Sequence, residues 1–258
     1  MDIKKIKKMN NDKYQIITSD NTKIITYDSV ILKYNLLYKK NIDSELMSLI
    51  MKETSYFDIY KKAVNYISKR LRSEYEIKKY LEKYDLNEKD TNKIINDLKK
   101  SNFINDYNFA KAYISDKVYL SNYGPLKIKR DLQNHYIDTE IIEELINNID
   151  DEVILEKLNK LMTKKINSNK KHSNYILKQK LLYYFKDLGY ETSMILSCLD
   201  NLGNNDDNIL DKEYEKLYKK YSKKYSDYNL DNKIKEGLYR KGFDINKINE
   251  FINTKKEF

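Results

Sequence analysis

The chain has 258 residues, 40% apolar and 34% charged, and its Lys and Arg outnumber Asp and Glu by 49 to 40, a net charge of +9. A lone cysteine, Cys198, excludes an intrachain disulfide, and no apolar run approaches the roughly 20 residues that span a bilayer. The basic opening MDIKKIKKMN has no apolar stretch behind it, and with only one Pro and five Gly the composition predicts a soluble, mostly helical, cytoplasmic protein without a secretion signal.

Residues 1–43 predict a small sheet-containing lobe. Tyr14 to Thr18 and Thr22 to Tyr27 are β-branched and aromatic runs around the turn residues Ser19, Asp20 and Asn21, the pattern of a hairpin, and Ile3 to Met9 offers a third strand. Asp28 and Ser29 mark a helix start ahead of VILKYNLLY. A further helix starts at Asp43 or Ser44 and carries Leu46, Leu49, Ile50, Phe57, Ala63, Val64 and Ile67, with a break expected near Thr54 and Ser55. Ser73 and Glu76 then form an S-x-x-E capping box, in which each side chain bonds the other's backbone amide.

From Ser73 onward one apolar skeleton recurs. Ile77, Leu81 and Leu86 are followed at the same offsets by Ile128, Leu132 and Ile137, by Leu181, Phe185 and Tyr190, and by Ile234, Leu238 and Phe243. Successive copies start at 77, 128, 181 and 234, so the steps are 51, 53 and 53 residues. A period of that size predicts a stacked supersecondary unit, here about four three-helix repeats forming a curved solenoid behind the β lobe. The expected parts are 1–43, a lead-in helix and first repeat over 44–104, and repeats at 105–150, 151–202 and 203–258. At the joints, Ile137 before Asp138 and Phe243 before Asp244 suit hydrophobic staples, and Asp106 is the expected cap of the second repeat's first helix. The polar stretch Asn201 to Asn208 is the expected linker, and Thr254 to Phe258 are expected to fray.

Catalytic chemistry has little to stand on. His135, His172 and Cys198 fall at unrelated repeat positions, and Gly124-Pro125 is a helix start rather than a phosphate loop because G-x-x-x-x-G-K-[ST] is absent. No catalytic residue, metal or cofactor is expected. An enzyme built on scattered carboxylates is the least favoured of the readings, since such groups ordinarily line a solvated helix face.

The positive charge is concentrated. Between Glu156 and Asp187 there is no acidic residue, while Lys157, Lys160, Lys164, Lys165, Lys170, Lys171, Lys178, Lys180 and Lys186 supply nine cations, as many as the whole chain's excess. Every repeat carries basic residues at the end of its first helix and the turn into its second. These are Lys69, Arg70 and Arg72; Lys117, Lys127, Lys129 and Arg130; Lys164, Lys165, Lys170 and Lys171; and Lys219, Lys220, Lys223 and Lys224. Helix dipoles alone favour cations there by about 0.3 to 1 kcal/mol. The acid-free stretches Lys117 to Arg130 and Lys157 to Lys186 exceed what a helix end needs, and Tyr119, Tyr123, Tyr175, Tyr183 and Tyr184 lie among their cations. Stacking rings beside lysines suit a phosphate backbone with exposed bases. The candidate contact set is the first three clusters together with Lys178 and Lys180, merged by stacking into one basic ridge.

Ser73-Glu74 with Glu76-Ile77 and Leu81, then Asn105-Asp106 with Phe109-Ala110 and Tyr113-Ile114, then Gly124 ahead of Ile128, Leu132 and Ile137, resemble the RecX family, regulators of the RecA recombinase. The match is strongest over about 60–148, and beyond 151 it rests on apolar spacing. Where family members often carry Lys-Gly after the second helix, this chain has Tyr84-Asp85 and His135-Tyr136, keeping the glycine only in Leu188-Gly189 and Lys241-Gly242; Lys117 stands where Arg is common. The resemblance implies a non-catalytic monomer that lies along a filament of RecA on single-stranded DNA and restrains its growth, strand exchange and ATP hydrolysis. The residues alone equally allow a helical-repeat module that binds nucleic acid without a recombinase partner.

Overall fold

The computed structural model describes residues 1–10, 12–200 and 206–256, and the chain divides into two compact units, Met1–Phe109 and Ala110–Phe258. In the first, β1 (Ile3–Lys8), β2 (Lys13–Thr18) and β3 (Lys23–Tyr27) form an antiparallel sheet in that order. The sequence of β1, IKKIKK, has a period of three where a strand requires two. A register shift between Ile3 and Lys5 resolves the conflict, because the extra residue lets Ile3 oppose Thr18 and Ile6 oppose Ile16, both fully buried. Asn21 takes the left-handed conformation in the β2–β3 turn, and the Thr18 and Thr22 hydroxyls hold Asp20 there as a carboxylate, below its usual pKa.

Helix α1 (Asp28–Lys33) is a short element that ends before Asn35, whose φ is +51°. Helix α2 (Ser44–Ile67) is capped by the Asp43 carboxylate, which accepts the Leu46 N–H at 2.8 Å. The expected break at Thr54 and Ser55 does not occur. The Thr54 hydroxyl bonds the Ile50 carbonyl inside the helix and pairs with the Thr26 hydroxyl at 2.6 Å, so a residue that otherwise competes with helix is satisfied within it. The single helix therefore serves two cores. Leu46 and Ile50 pack with Ile16, Ile24, Val30 and Leu36 of the lobe, while Ile59, Ala63 and Ile67 pack with α3 (Glu74–Leu81) and α4 (Glu88–Lys100).

The second unit continues with α5 (Asp106–Leu120), α6 (Pro125–Asn134), α7 (Thr139–Asn147), α8 (Asp151–Asn167), α9 (Asn174–Asp187), α10 (Thr192–Asp200), α11 (Asp206–Tyr221), α12 (Asp227–Tyr239) and α13 (Ile245–Lys256); the boundary falls inside α5. The protein is thus mainly helical, with three-helix repeats behind a small sheet. All twelve residues of the recurring apolar skeleton are buried except Leu86, which is half-buried against the first repeat's core. The staples form as expected, with Ile137, Ile142, Phe243 and Ile248 buried and the Asp138 and Asp244 carboxylates accepting N–H bonds at the starts of α7 and α13. Of the expected linker, residues 201–205 lie outside the described residues, and Asp206 to Asn208 open α11. Thr254 to Lys256 stay in α13 rather than fraying, while 257 and 258 lie outside the described residues.

Asp106 has a different task from the one its position suggests. Asn105 caps α5 by accepting the Asn108 N–H, and Asp106 reaches back to accept the Glu74 N–H at 2.8 Å, an orphan donor at the start of α3. Asp206 accepts the Asn174 N–H at 2.7 Å in the same way at the start of α9.

Consecutive repeats in the second unit meet through backbone. The Gly124 N–H donates to the Leu188 carbonyl at 2.7 Å and the Leu126 N–H to the Gly189 carbonyl at 3.0 Å, so the start of α6 sits on the turn that ends α9. One repeat later, the Ser173 N–H and hydroxyl donate to the Lys241 and Gly242 carbonyls at 3.2 and 2.6 Å, and the start of α9 sits on the turn that ends α12. Both turns need glycine for two reasons. Their φ values are +84° at Gly189 and +81° at Gly242, and an added methyl group would lie 2.3 Å from the Lys127 nitrogen or 2.1 Å from Ile176 Cγ1. Asp85 and Tyr136 occupy the matching positions after α3 and α6 with φ of +48° and +54°. The missing glycines therefore leave the left-handed turn in place, at a conformational cost of about 1 kcal/mol each.

Replacing Gly189 or Gly242 by Ala is expected to destabilise the protein by roughly 2 to 4 kcal/mol in urea unfolding, the sum of a left-handed Ala and a displaced neighbour. Tyr190 is fully buried, and its hydroxyl has no partner among the described residues, whereas the fourth repeat has Phe243 at the same place. Tyr190→Phe should accordingly raise stability by about 1 kcal/mol, readable as a higher urea midpoint with an unchanged slope.

Candidate partner-binding surface

The basic residues singled out by sequence separate into two groups once their neighbours are known. Arg70 and Arg72 both converge on Glu76, whose carboxylate also closes the capping box of α3. Arg70 grips it with both terminal nitrogens, at 3.1 and 2.5 Å, while Arg72 lies over the Tyr66 ring with its guanidinium carbon 4.0 Å from the centroid. Tyr66 in turn stacks on Tyr80 at 4.0 Å and 12°. These arginines hold Glu76 below its usual pKa, against the burial that pushes it up, and fasten the turn into α3. Lys69 beside them is exposed. Lys129 is likewise engaged by an ion pair with Glu143, and the exposed Arg130 makes only a long bond to the Leu126 carbonyl.

The second group surrounds Tyr123. The Lys117 ammonium lies 5.2 Å and the Lys127 ammonium 4.3 Å from its ring centroid, and Lys117 is also 5.0 Å from the Tyr113 ring. What fixes this loop is Lys157, a residue outside the expected contact set. Its ammonium donates to the carbonyls of Lys117 at 3.1 Å and Tyr123 at 3.0 Å, tying α8 to the end of α5 and to the strand of chain leading into α6. Burial pushes its pKa down to about 8. A cleft of about 360 Å³ opens alongside, lined by Tyr119, Ser121, Asn122, Glu156, Lys157 and Lys160 among others.

Two contacts thereby bring the acid-free stretches together. Lys157, the first residue of the longer stretch, bonds the shorter one, and Gly124 to Lys127 rest on Leu188-Gly189, just past the longer one's end. Further along, the Lys165 ammonium lies 4.3 Å from the Tyr184 ring, and Lys164, Lys170, Lys171 and Lys180 are exposed. Tyr119, Tyr175 and Tyr183 are 71%, 64% and 72% exposed, so these rings face solvent and are not core. The His172 imidazole is 2.8 Å from the Lys180 ammonium, and burial together with Lys180, Lys241 and Lys171 keeps it below its ordinary pKa; the neutral ring accepts a hydrogen bond from the ammonium. Lys178 is half-buried on α9. Among the described residues no group of three His, Cys, Asp or Glu side chains is placed to hold a metal ion, and no helix is long and apolar enough to cross a membrane.

Comparison with known proteins bears on the same segments. Residues 60–98 match the first three-helix domain of RecX, 105–146 the second and 205–252 the third. Helices α8 to α10 therefore lie between the segments matched to the second and third domains. The regulatory protein RecX of Oceanobacillus iheyensis is 31% identical over 88% of this chain and 85% of its own, and that of Halalkalibacterium halodurans 28% identical over 96% and 97%. A crystal structure of a regulatory protein RecX superposes with a TM-score of 0.71 at 21% identity, covering 78% of this chain and 99% of that one. The structure of RecX from Lactobacillus salivarius gives 0.54 at 28% identity, over 57% of this chain and 96% of that one.

Lys157 supplies a pH test of the loop anchor. With its folded pKa near 8 and an unfolded value of 10.5, the unfolded chain binds more protons between those limits, so its contribution to stability grows as pH rises from about 8 to 10.5. Lys157→Met should remove that slope, so that urea midpoints of wild type and variant diverge in favour of wild type over this range.

Proposed function

The chain belongs to the RecX family, and on that premise we propose that it is a non-catalytic regulator that binds the RecA recombinase and its filament on single-stranded DNA. It restrains filament growth, strand exchange and the coupled ATP hydrolysis, and works as a monomer in the cytoplasm. The observation that carries this reading is the joining of the two acid-free stretches around Tyr123, Lys117, Lys127 and Lys157. Rings and cations held together on a fixed backbone suit a surface where protein and single-stranded DNA are met at once. Lys164, Lys165, Lys170, Lys171, Lys178 and Lys180 extend the contact, and Lys69 is a separate contact in the first unit. Lys129 serves it through the helices it fastens, while Arg70 and Arg72 fasten the turn beside Lys69. The exposed rings of Tyr119, Tyr175 and Tyr183 equally favour a second reading, a module that binds single-stranded nucleic acid with no recombinase partner.

A single-stranded-DNA-dependent ATPase assay with RecA, paired with pull-down of RecA in the absence of DNA, separates the two. The regulator captures RecA and slows ATP hydrolysis. Combining Lys127→Glu and Lys165→Glu should require roughly tenfold more protein for the same effect, about 1.4 kcal/mol of lost binding. Failure to capture RecA, with ATP hydrolysis untouched at moderate salt, overturns the filament reading and leaves the nucleic-acid module.

A further inference from the structure

The three strands of the N-terminal lobe contain six lysines and no acidic residue. One face of their sheet is covered by the core of Ile16, Ile24, Val30 and Leu36, and the pairing register determines what the other face carries. Lys5 opposes Ile17, which opposes Lys23, and Lys7 opposes Gln15, which opposes Ile25. Residues paired in this way share a face, so the outer side presents two parallel rows, Lys5-Ile17-Lys23 and Lys7-Gln15-Ile25. Lys5, Lys7, Lys23 and Ile25 are exposed, and α2 reaches this face only at the next row, Lys13-Tyr27, through Asp58 and Phe57. Lys4, displaced by the bulge, and Lys8 are exposed along the same edge. Lys13 is different, because its ammonium is paired with Asp58.

We infer that this open sheet face binds duplex DNA through its phosphate backbone, independently of base sequence and of the filament reading above. Lys5 and Lys7 project about 6.6 to 7 Å apart along the strand, and Lys5 and Lys23 stand about 10 Å apart across three strands. This spread of cations meets a polymer that carries one negative charge per about 1.7 Å of its axis. Gln15 adds a neutral donor between them, a type of side chain common at phosphates. The rings that mark a single-strand surface are missing. Ile17 and Ile25 occupy the middle and margin of the face where stacking would require aromatics, in contrast to Tyr123 and Tyr184 of the helical repeats. The bulge at Lys4 belongs to the same design. By placing Ile3 and Ile6 in the core despite their spacing of three, it leaves Lys5 and Lys7 together on the outside.

The test is fluorescence anisotropy of the full chain with a labelled 20-base-pair duplex and with a single strand of one duplex strand's sequence. Lysines on sheet edges also guard against strand pairing, so each variant is first checked as folded by circular dichroism and as unaggregated by size exclusion. Lys5→Gln combined with Lys7→Gln and Lys23→Gln should weaken duplex binding at least about tenfold and lower the salt slope by about 2.7, the share of three phosphate contacts. The corresponding triple Arg variant should bind as wild type does, and single-strand binding should change much less than duplex binding. Duplex binding by the folded Gln variant at wild-type strength and slope overturns the inference. So does an absence of duplex binding by wild type at low salt, or a loss confined to the single strand.

Discussion

The helical repeats of the second unit depend on one constraint: the start of a helix must find partners for backbone N–H groups that its own turn cannot satisfy. Here they are found in the next repeat. Gly124 and Leu126 donate to the turn Leu188-Gly189, and Ser173 to the turn Lys241-Gly242. Because the contact is backbone against backbone, there is no room for a side chain on the accepting turn, and glycine is required there by space as well as by its left-handed dihedral. Burial of the apolar skeleton stabilises each repeat, but it is non-directional. The joint supplies the direction, and with it the position of the loop that carries Tyr123.

The same constraint sorts the cations. A helix end attracts lysine and arginine whatever else happens nearby, so charge counted along the chain mixes two populations. Arg70 and Arg72 have an acid within reach, Glu76, and their planar forks are occupied by it and by the Tyr66 ring. Lys117 and Lys127 have no acid in their stretch of chain and lie instead against rings, Lys117 between Tyr113 and Tyr123 and Lys127 over Tyr123. Lys157 looks like its neighbours in sequence yet faces inward, and its two carbonyl acceptors determine where the others stand.

Much of the architecture was legible before any coordinates. Apolar offsets of four and nine located the second and third helices of every repeat, because a helix periodicity and a staple are both local. The capping box at Ser73 and Glu76 and the hairpin around Asp20 were legible for the same reason. What escaped was tertiary. Thr54 does not break α2, since Thr26 from a distant strand completes its bonding, and Asp106 leaves its own helix start to Asn105 in order to cap α3. In the candidate surface, acid-free stretches and interleaved tyrosines pointed to Lys117, Tyr123 and Lys127, which the fold brings together, while the engagement of Arg70 and Arg72 and the anchoring role of Lys157 had no signature in spacing. The lysines of β1 were overlooked because IKKIKK does not look like a strand with one open face until the bulge restores its phase.

Both joints rest on the carbonyls of a glycine turn, with two amides as donors in one and the amide and hydroxyl of Ser173 in the other. A three-helix repeat with two such donors at the start of its second helix and a glycine turn after it carries both halves of the fastening, like a link in a chain whose clasps are all alike. The repeat of α8 to α10 has both halves of the clasp, Ser173 on one side and Gly189 on the other, and it sits between segments that match the second and third three-helix domains of RecX. A repeat of this kind is therefore fastened to both neighbours through one helix, whose start grips the repeat after it and whose end is gripped by the repeat before it.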